Sequence, residues 1–251
     1  MLYRANDLRL STLPAPKAIW SSGHDTPVLP ERGAHIWLCP LTADSALLDF
    51  TTQEEKKRAE NMLPESKAFE FLLSRGWLRA ILAAYLPGTP PGEIRLERSA
   101  EGKPFLAGQG DMQFNLSHSQ GLAAIGVARE VIGVDIEKLR PMPDWHSLAE
   151  GLLTNNTVAE ILQLPVAEQA AGFLRAFTAR EAQLKAFGFG FSGILQAMDF
   201  HSIVVDSHSQ RNSEDRPVTD IHSYEQPIPL PEIDGYVGHV CLASAHPEKS
   251  L

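Results

Sequence analysis

Apolar and polar positions along this chain change period several times, and the changes mark its elements. His35 to Leu41 (HIWLCPL) is a short apolar run of strand length. From Thr51 the pattern turns helical: a threonine is followed by glutamates and then by basic residues, the order that a helix N-terminus favours. Pro64 interrupts it. A longer helix is expected from about Glu65 to Leu86, with Phe71, Trp77, Leu78, Ile81, Leu82 and Tyr85 on a broad apolar face. Arg75 and Arg79, four apart, share one side of it, and Pro87-Gly88 ends it. Ile94 to Glu97 reads as a short strand and Gly102-Lys103-Pro104 as a turn. Met112 to Leu116 reads as a strand leading into a turn that carries Ser117 and His118. Gly121 to Arg129 and Val131 to Glu137 read as two further strands.

The second half repeats this order loosely. Short helices are expected at 146–153 and 156–163, and a stronger one from about Ala167 to Phe187, with Phe173, Leu174, Phe177, Leu184 and Phe187 on its apolar side. Gly188, Gly190 and Gly193 read as its stop and a tight turn, and Tyr236 to Ala243 as a final strand. Residues 11–34, rich in proline, read as irregular chain, and residues 206–232, polar and proline-containing, as a loop or a ragged hairpin. Each half thus holds a long helix followed by strands, which predicts an α+β fold of two facing halves, 1–129 and 130–251.

Composition narrows the function. A chain of 251 residues, 43% hydrophobic and 21% charged, fits one large domain or two small ones. The net charge of -9 argues against an overall basic nucleic-acid binder, so an anionic ligand would need positive charge gathered locally. Cys39 and Cys241 are the only cysteines and lack C-x-x-C spacing, which points to a reducing compartment, the cytoplasm, without a disulfide framework or zinc site. Arg4, Asp7 and Arg9 break any signal-peptide run, and apolar runs such as Gly121 to Ala128 are far short of a membrane span. No phosphate loop or dinucleotide fingerprint is present.

Three groups of residues carry candidate chemistry. In GVDIE, strand alternation puts Asp135 and Glu137 on one face, with Val134 and Ile136 on the core side. Two like charges so placed are either solvated or joined by a hard divalent cation, and the spacing leaves both readings open. Glu181 and Lys185 share a helix face, as a surface salt bridge or as part of a site. Ser117 and His118 suit phosphate oxygens; a serine-hydrolase reading lacks the G-x-S-x-G turn. Arg75, Arg79, Lys103, Arg180 and Lys185 would form an anion pocket if they converge.

Four ordered blocks carry a resemblance: GKPFL at 102–106, FNLSHS at 114–119, GVDIE at 133–137 and FTAREAQLKAFGFG at 177–190. Together they resemble the 4'-phosphopantetheinyl transferase superfamily, more narrowly its monomeric surfactin-synthetase-activating type, over about residues 50 to 245. The resemblance implies two α+β subdomains related by pseudo-twofold symmetry. It implies transfer of phosphopantetheine from coenzyme A to a serine of an apo acyl, peptidyl or aryl carrier protein, as a holo-[acyl-carrier-protein] synthase does. No nucleic acid or membrane partner is implied. Carried over by motif, Asp135, Glu137 and Glu181 bind magnesium; Arg75, Lys103, Ser117, His118, Arg180 and Lys185 hold coenzyme A; Glu181 and Lys185 serve the chemistry. Phe177 stands where the family has tryptophan and Arg180 where it has lysine; Leu152 and Leu153 stand where it often has phenylalanines. A non-enzymatic nucleotide-binding module and a magnesium-dependent phosphohydrolase are the competing readings.

Overall fold

A computed structural model describes residues 9–14, 27–42, 44–100, 102–188, 227–230 and 233–243. The first half opens with β1 (Arg9–Pro14), parallel to β2 (Gly33–Pro40). Helices α1 (Ser45–Asp49), α2 (Gln53–Glu60) and α3 (Glu65–Tyr85) follow. The α2 start has the expected chemistry: the Thr52 hydroxyl accepts the Glu55 amide at 3.2 Å, and the Glu55 carboxylate accepts the Thr52 amide at 2.9 Å. The α3 face predicted by periodicity is buried throughout. A small ribbon of β3 (Leu96–Arg98) and β4 (Pro104–Leu106) precedes the hairpin of β5 (Gln113–Ser119) and β6 (Leu122–Ala128). The second half runs β7 (Val131–Lys138), α4 (Trp145–Leu152), α5 (Asn155–Leu162), α6 (Val166–Ala186), β8 (Ile228–Pro229) and β9 (Tyr236–Ala243).

The halves share a topology. The sheet orders are β1-β2-β6-β5 and β7-β9-β8. Leaving β1 aside, each is a three-stranded antiparallel sheet with its last strand in the middle, and each has a 21-residue helix between its first strand and its last two. Strand alternation stacks them in layers. Trp37, Cys39, Phe114, Ile125 and Val127 pack with Leu78, Ile81 and Tyr85 of α3. The alternate positions Ala34, Ile36, Ala124 and Ala128 pack with Ile132, Val134, Ile136, Val240 and Leu242 of the second sheet. On the far side of that sheet, Cys241 meets Ala182 and Ala186 of α6. Burying each large aliphatic side chain between the sheets contributes about 2 kcal/mol, so this shared core fixes one half against the other. Gly133 permits the last contact: a Cβ there would lie 2.0 Å from the Ala182 carbonyl oxygen.

Three expectations need correction. Residues 11–14 belong to β1, because an edge strand tolerates a terminal proline. Helix α1 lies where no element is expected. Ser117 and His118 are in strand β5, not in a turn. The turn is Gln120-Gly121, with φ of 40° and 95°, the positive values that a two-residue type I′ hairpin requires. Gly190, Gly193 and residues 206–226 lie outside the described residues.

Candidate active site

Strand β5 alternates polar and apolar positions, and the two sets face different partners. Phe114 and Leu116 pack in the α3 core. Asn115, Ser117 and Ser119 are buried and reach strand β7, nineteen residues further on in each case. The Val134 amide donates to Asn115 Oδ1 at 2.9 Å, the Ile136 amide to Ser117 Oγ and the Lys138 amide to Ser119 Oγ, both at 3.3 Å. Side chains thus take the place of a backbone ladder between the two sheets and satisfy amides that would otherwise be buried unpaired.

The same hydroxyls donate onward to the acids. Ser117 Oγ donates to Asp135 Oδ1 and Ser119 Oγ to Glu137 Oε2, each at 2.8 Å. Asp135 is 5% exposed, and its Oδ1 also receives the Lys185 ammonium at 2.6 Å. Its Oδ2 is buried and has no hydrogen-bond partner among the described residues. Glu137 Oε2 receives Arg140 at 2.8 Å. Burial pushes the Asp135 carboxyl up, against the opposing pull of Lys185 and Ser117. Burial also pushes Glu181 up, and the Asp135 charge adds to it, with a smaller push from Glu137. Glu181 on α6 therefore shares an electrostatic environment with both strand acids, which spacing alone does not disclose.

Lys185 shares a helix face with Glu181, but its ammonium bonds elsewhere: to Asp135, to Ser117 Oγ at 3.1 Å and to the Val134 carbonyl at 3.3 Å. The buried Arg180 Nε has no hydrogen-bond partner among the described residues. One turn earlier, Thr178 Oγ1 meets His239 Nδ1 at 2.8 Å, and His239 lies opposite Asp135 in the β7–β9 ladder. Burial, with Arg175 nearby, holds His239 down at about 4, so it is neutral at pH 7.

The cationic side begins at His118. Burial lowers its pKa, and Arg75 and then Lys185 lower it further, so the imidazole feels both the α3 arginine and the acid centre. The Arg75 guanidinium sits 5.2 Å over the Phe71 ring and is pushed down to about 10 by burial. It lines a cavity of about 680 Å³ together with Arg58, Arg79, Arg95 and Arg98, among several glutamates. Arg79 is not free for a ligand: it pairs with Glu55 at 3.2 Å and donates to the Ile94 carbonyl at 2.6 Å. Lys103 donates to the Ile132 carbonyl at 3.1 Å and to the Ala186 carbonyl, the end of α6, at 2.7 Å. It ties α6 to β7, and burial draws its ammonium down to about 8.

Sequence reasoning misses Asn115, Ser119 and Arg140. A signal for the first two exists: polar residues at 115, 117 and 119 share the two-residue period of Asp135 and Glu137. Among the described residues, no group of three or more His, Cys, Asp or Glu is gathered closely enough to hold a metal ion. Asp135 and Glu137 are instead each held by a base, while Glu181 is coupled to them through charge. The donor set still fits a hard divalent cation: it is all oxygen, its acids repel one another, and one buried carboxylate oxygen is orphaned. Among the described residues no helix is long and apolar enough to cross a membrane.

Comparison with known proteins agrees with this layout. Residues 37–130 match the family described as 4'-phosphopantetheinyl transferase, N-terminal, and residues 131–241 match the 4'-phosphopantetheinyl transferase superfamily. The chain is 36% identical over 167 residues to the 4'-phosphopantetheinyl transferase HetI of Nostoc sp., spanning 63% of this chain and 70% of that protein. It is 26% identical over 206 residues to the 4'-phosphopantetheinyl transferase Sfp of Bacillus subtilis, spanning 80% of this chain and 85% of that one. A phosphopantetheinyl transferase of Thraustochytrium sp. is 32% identical over 162 residues, 59% of this chain and 56% of that one. A mixed α/β fold with, β1 aside, two similarly built three-stranded antiparallel sheets is consistent with duplicated subdomains of this class of transferases. The chain belongs to the 4'-phosphopantetheinyl transferase superfamily.

Proposed function

We propose that this protein transfers the 4'-phosphopantetheine group from coenzyme A to a serine of an apo acyl, peptidyl or aryl carrier protein, releasing adenosine 3',5'-bisphosphate. The observation that carries the reading is Asp135: a buried carboxylate with one oxygen clamped and the other unpartnered among the described residues, coupled to Glu181. Unsatisfied buried charge of this kind is kept where function needs it. We read the chain as the surfactin-synthetase-activating type, a cytoplasmic monomer whose subdomains, 1–129 and 130–251, are related by a pseudo-twofold axis. The matching strand orders of the two halves support the pseudo-twofold relation of the subdomains.

Asp135, Glu137 and Glu181 would hold a magnesium ion, which when bound would neutralise charge on the pyrophosphate oxygens of coenzyme A. Glu181 takes the proton of the carrier serine hydroxyl. Burial and the Asp135 charge raise its carboxyl, which makes it a stronger base than an exposed glutamate, while Lys185 and Arg180 pull the other way. The serine oxygen forms its bond to the β-phosphorus as the bond to the bridging oxygen breaks, and that oxygen leaves with the nucleotide. Lys185 fixes Asp135 and places positive charge beside the departing phosphate. Arg75, His118 and Arg180 would receive phosphate oxygens of coenzyme A, with the arginine-lined cavity for its nucleotide end. His118 binds as a neutral donor. Lys103 and Ser117 act mainly by bracing the strands behind the site, with the third ammonium proton of Lys103 left for the ligand.

The test is to incubate the protein with coenzyme A, magnesium and a panel of apo-carriers, and to weigh each carrier before and after. A gain of one phosphopantetheine arm is expected on at least one carrier. No gain on any carrier, or phosphate release without labelling, would overturn the reading.

A further inference from the structure

The contacts on Asp135 recur on Glu137, displaced by two residues along both strands. Ser117 Oγ accepts the Ile136 amide at 3.3 Å and donates to Asp135 Oδ1 at 2.8 Å, and Lys185 lands on that same oxygen at 2.6 Å. Ser119 Oγ accepts the Lys138 amide at 3.3 Å and donates to Glu137 Oε2 at 2.8 Å, and Arg140 lands on that same oxygen at 2.8 Å. Each acid is therefore gripped by one hydroxyl and one base on a single oxygen. Among the described residues Asp135 Oδ2 has no hydrogen-bond partner and no hydrogen bond reaches Glu137 Oε1. The bases come from different places, Lys185 from α6 and Arg140 from the chain just beyond β7, so one helix contact does not explain both. Arg140 is itself fixed, because its Nη1 also donates to the Lys138 carbonyl at 3.0 Å.

We propose that Ser119 and Arg140 are positioning residues that hold Glu137 as Ser117 and Lys185 hold Asp135, so that each acid keeps one oxygen for a shared divalent cation. The proposal rests on the metal-dependent reading above. Groups that orient a ligating carboxylate set metal affinity without touching the metal, and losing one typically weakens binding by about 10-fold or more. A hydroxyl that accepts from a backbone amide suits this task, since the amide fixes its position and its single proton is then aimed at the carboxylate.

The experiment titrates manganese into the full-length protein with coenzyme A present and follows the free ion by paramagnetic resonance, against a coenzyme A blank. Transfer kinetics give the KM for coenzyme A in parallel. Ser119→Ala should weaken manganese binding about tenfold and leave the coenzyme A KM within about twofold. Ser119→Thr, which keeps the hydroxyl, should restore binding. Arg140→Gln should weaken it in the same sense, and it decides the matter if Ser119→Ala does not fold, because it leaves the β5–β7 contacts alone. Manganese bound as tightly by folded Ser119→Ala and Arg140→Gln as by the parent would overturn the clamp while leaving the metal reading intact. A parent that binds no manganese above the blank would overturn both.

Discussion

Two ion pairs, one in each half and each built on one buried side chain, are finished to different degrees. In the first half Arg79 of α3 meets Glu55. Glu55 Oε2 takes the Thr52 amide at 2.9 Å and Arg79 Nε at 3.2 Å, its Oε1 takes Arg79 Nη2 at 3.4 Å, and Arg79 Nη1 reaches the Ile94 carbonyl at 2.6 Å. In the second half Lys185 of α6 meets Asp135 at 2.6 Å, yet Asp135 Oδ2 is buried with no hydrogen-bond partner among the described residues. A closed pair braces a fold, while an open one carries a penalty that stability alone does not explain. The contrast separates a pair that braces the fold from a pair left open for chemistry, although both use a base on the long helix.

The widest separation between the two should come from Glu181→Gln. Transfer of phosphopantetheine should fall on the order of 10³-fold, measured as carrier labelling rate, while the circular dichroism spectrum stays that of the parent. The closed pair should answer in stability instead. Glu55→Ala leaves the Arg79 guanidinium buried and uncompensated, and should lower unfolding free energy by about 3 kcal/mol in a urea titration, with the labelling rate per folded molecule unchanged. A smaller effect in the same region tests the cap: Thr52→Ala removes one half of the α2 capping box and should lower stability by about 1 kcal/mol.

The least of the expected effects has a pH signature. The Glu181 carboxyl is raised above its ordinary 4.5, so the folded chain holds that proton more tightly than the unfolded chain, and the parent loses stability as pH rises through that window. Glu181→Gln cannot ionise. Its melting temperature should exceed the parent's by about 2 °C at pH 8, and the gain should fade on acidification towards pH 4.5. An equal gain at both pH values would remove the burial of an ionised carboxylate beside Asp135 as its cause.

Much of this was legible as periodicity. The long helices α3 and α6 fall within a residue or so of their expected ends, since each buries a broad apolar face. The opposed faces of GVDIE follow from alternation, with Val134 and Ile136 in the shared core and Asp135 buried on the side that meets α6. What stayed hidden depends on partners distant in sequence. Ser117 reads as a turn residue and Ser119 draws no reading of its own, because polar side chains in a short segment usually meet water. Here they meet the amides of a strand nineteen residues on. Glu181 and Lys185 read as a helix pair by spacing, and only the packing of α6 on Gly133 brings Lys185 to Asp135 instead. Arg140 carries no local signal, since one arginine after a strand has many ordinary uses.

The most direct measurement compares the two pairs in one assay. Parent, Asp135→Ala and Glu55→Ala proteins, each confirmed folded at the working temperature, are incubated with coenzyme A, magnesium and an apo-carrier, and the intact carrier mass is followed with time. The parent and Glu55→Ala should add the phosphopantetheine arm at comparable rates, and Asp135→Ala should add none. An Asp135→Ala protein that labels the carrier as fast as the parent would contradict the account.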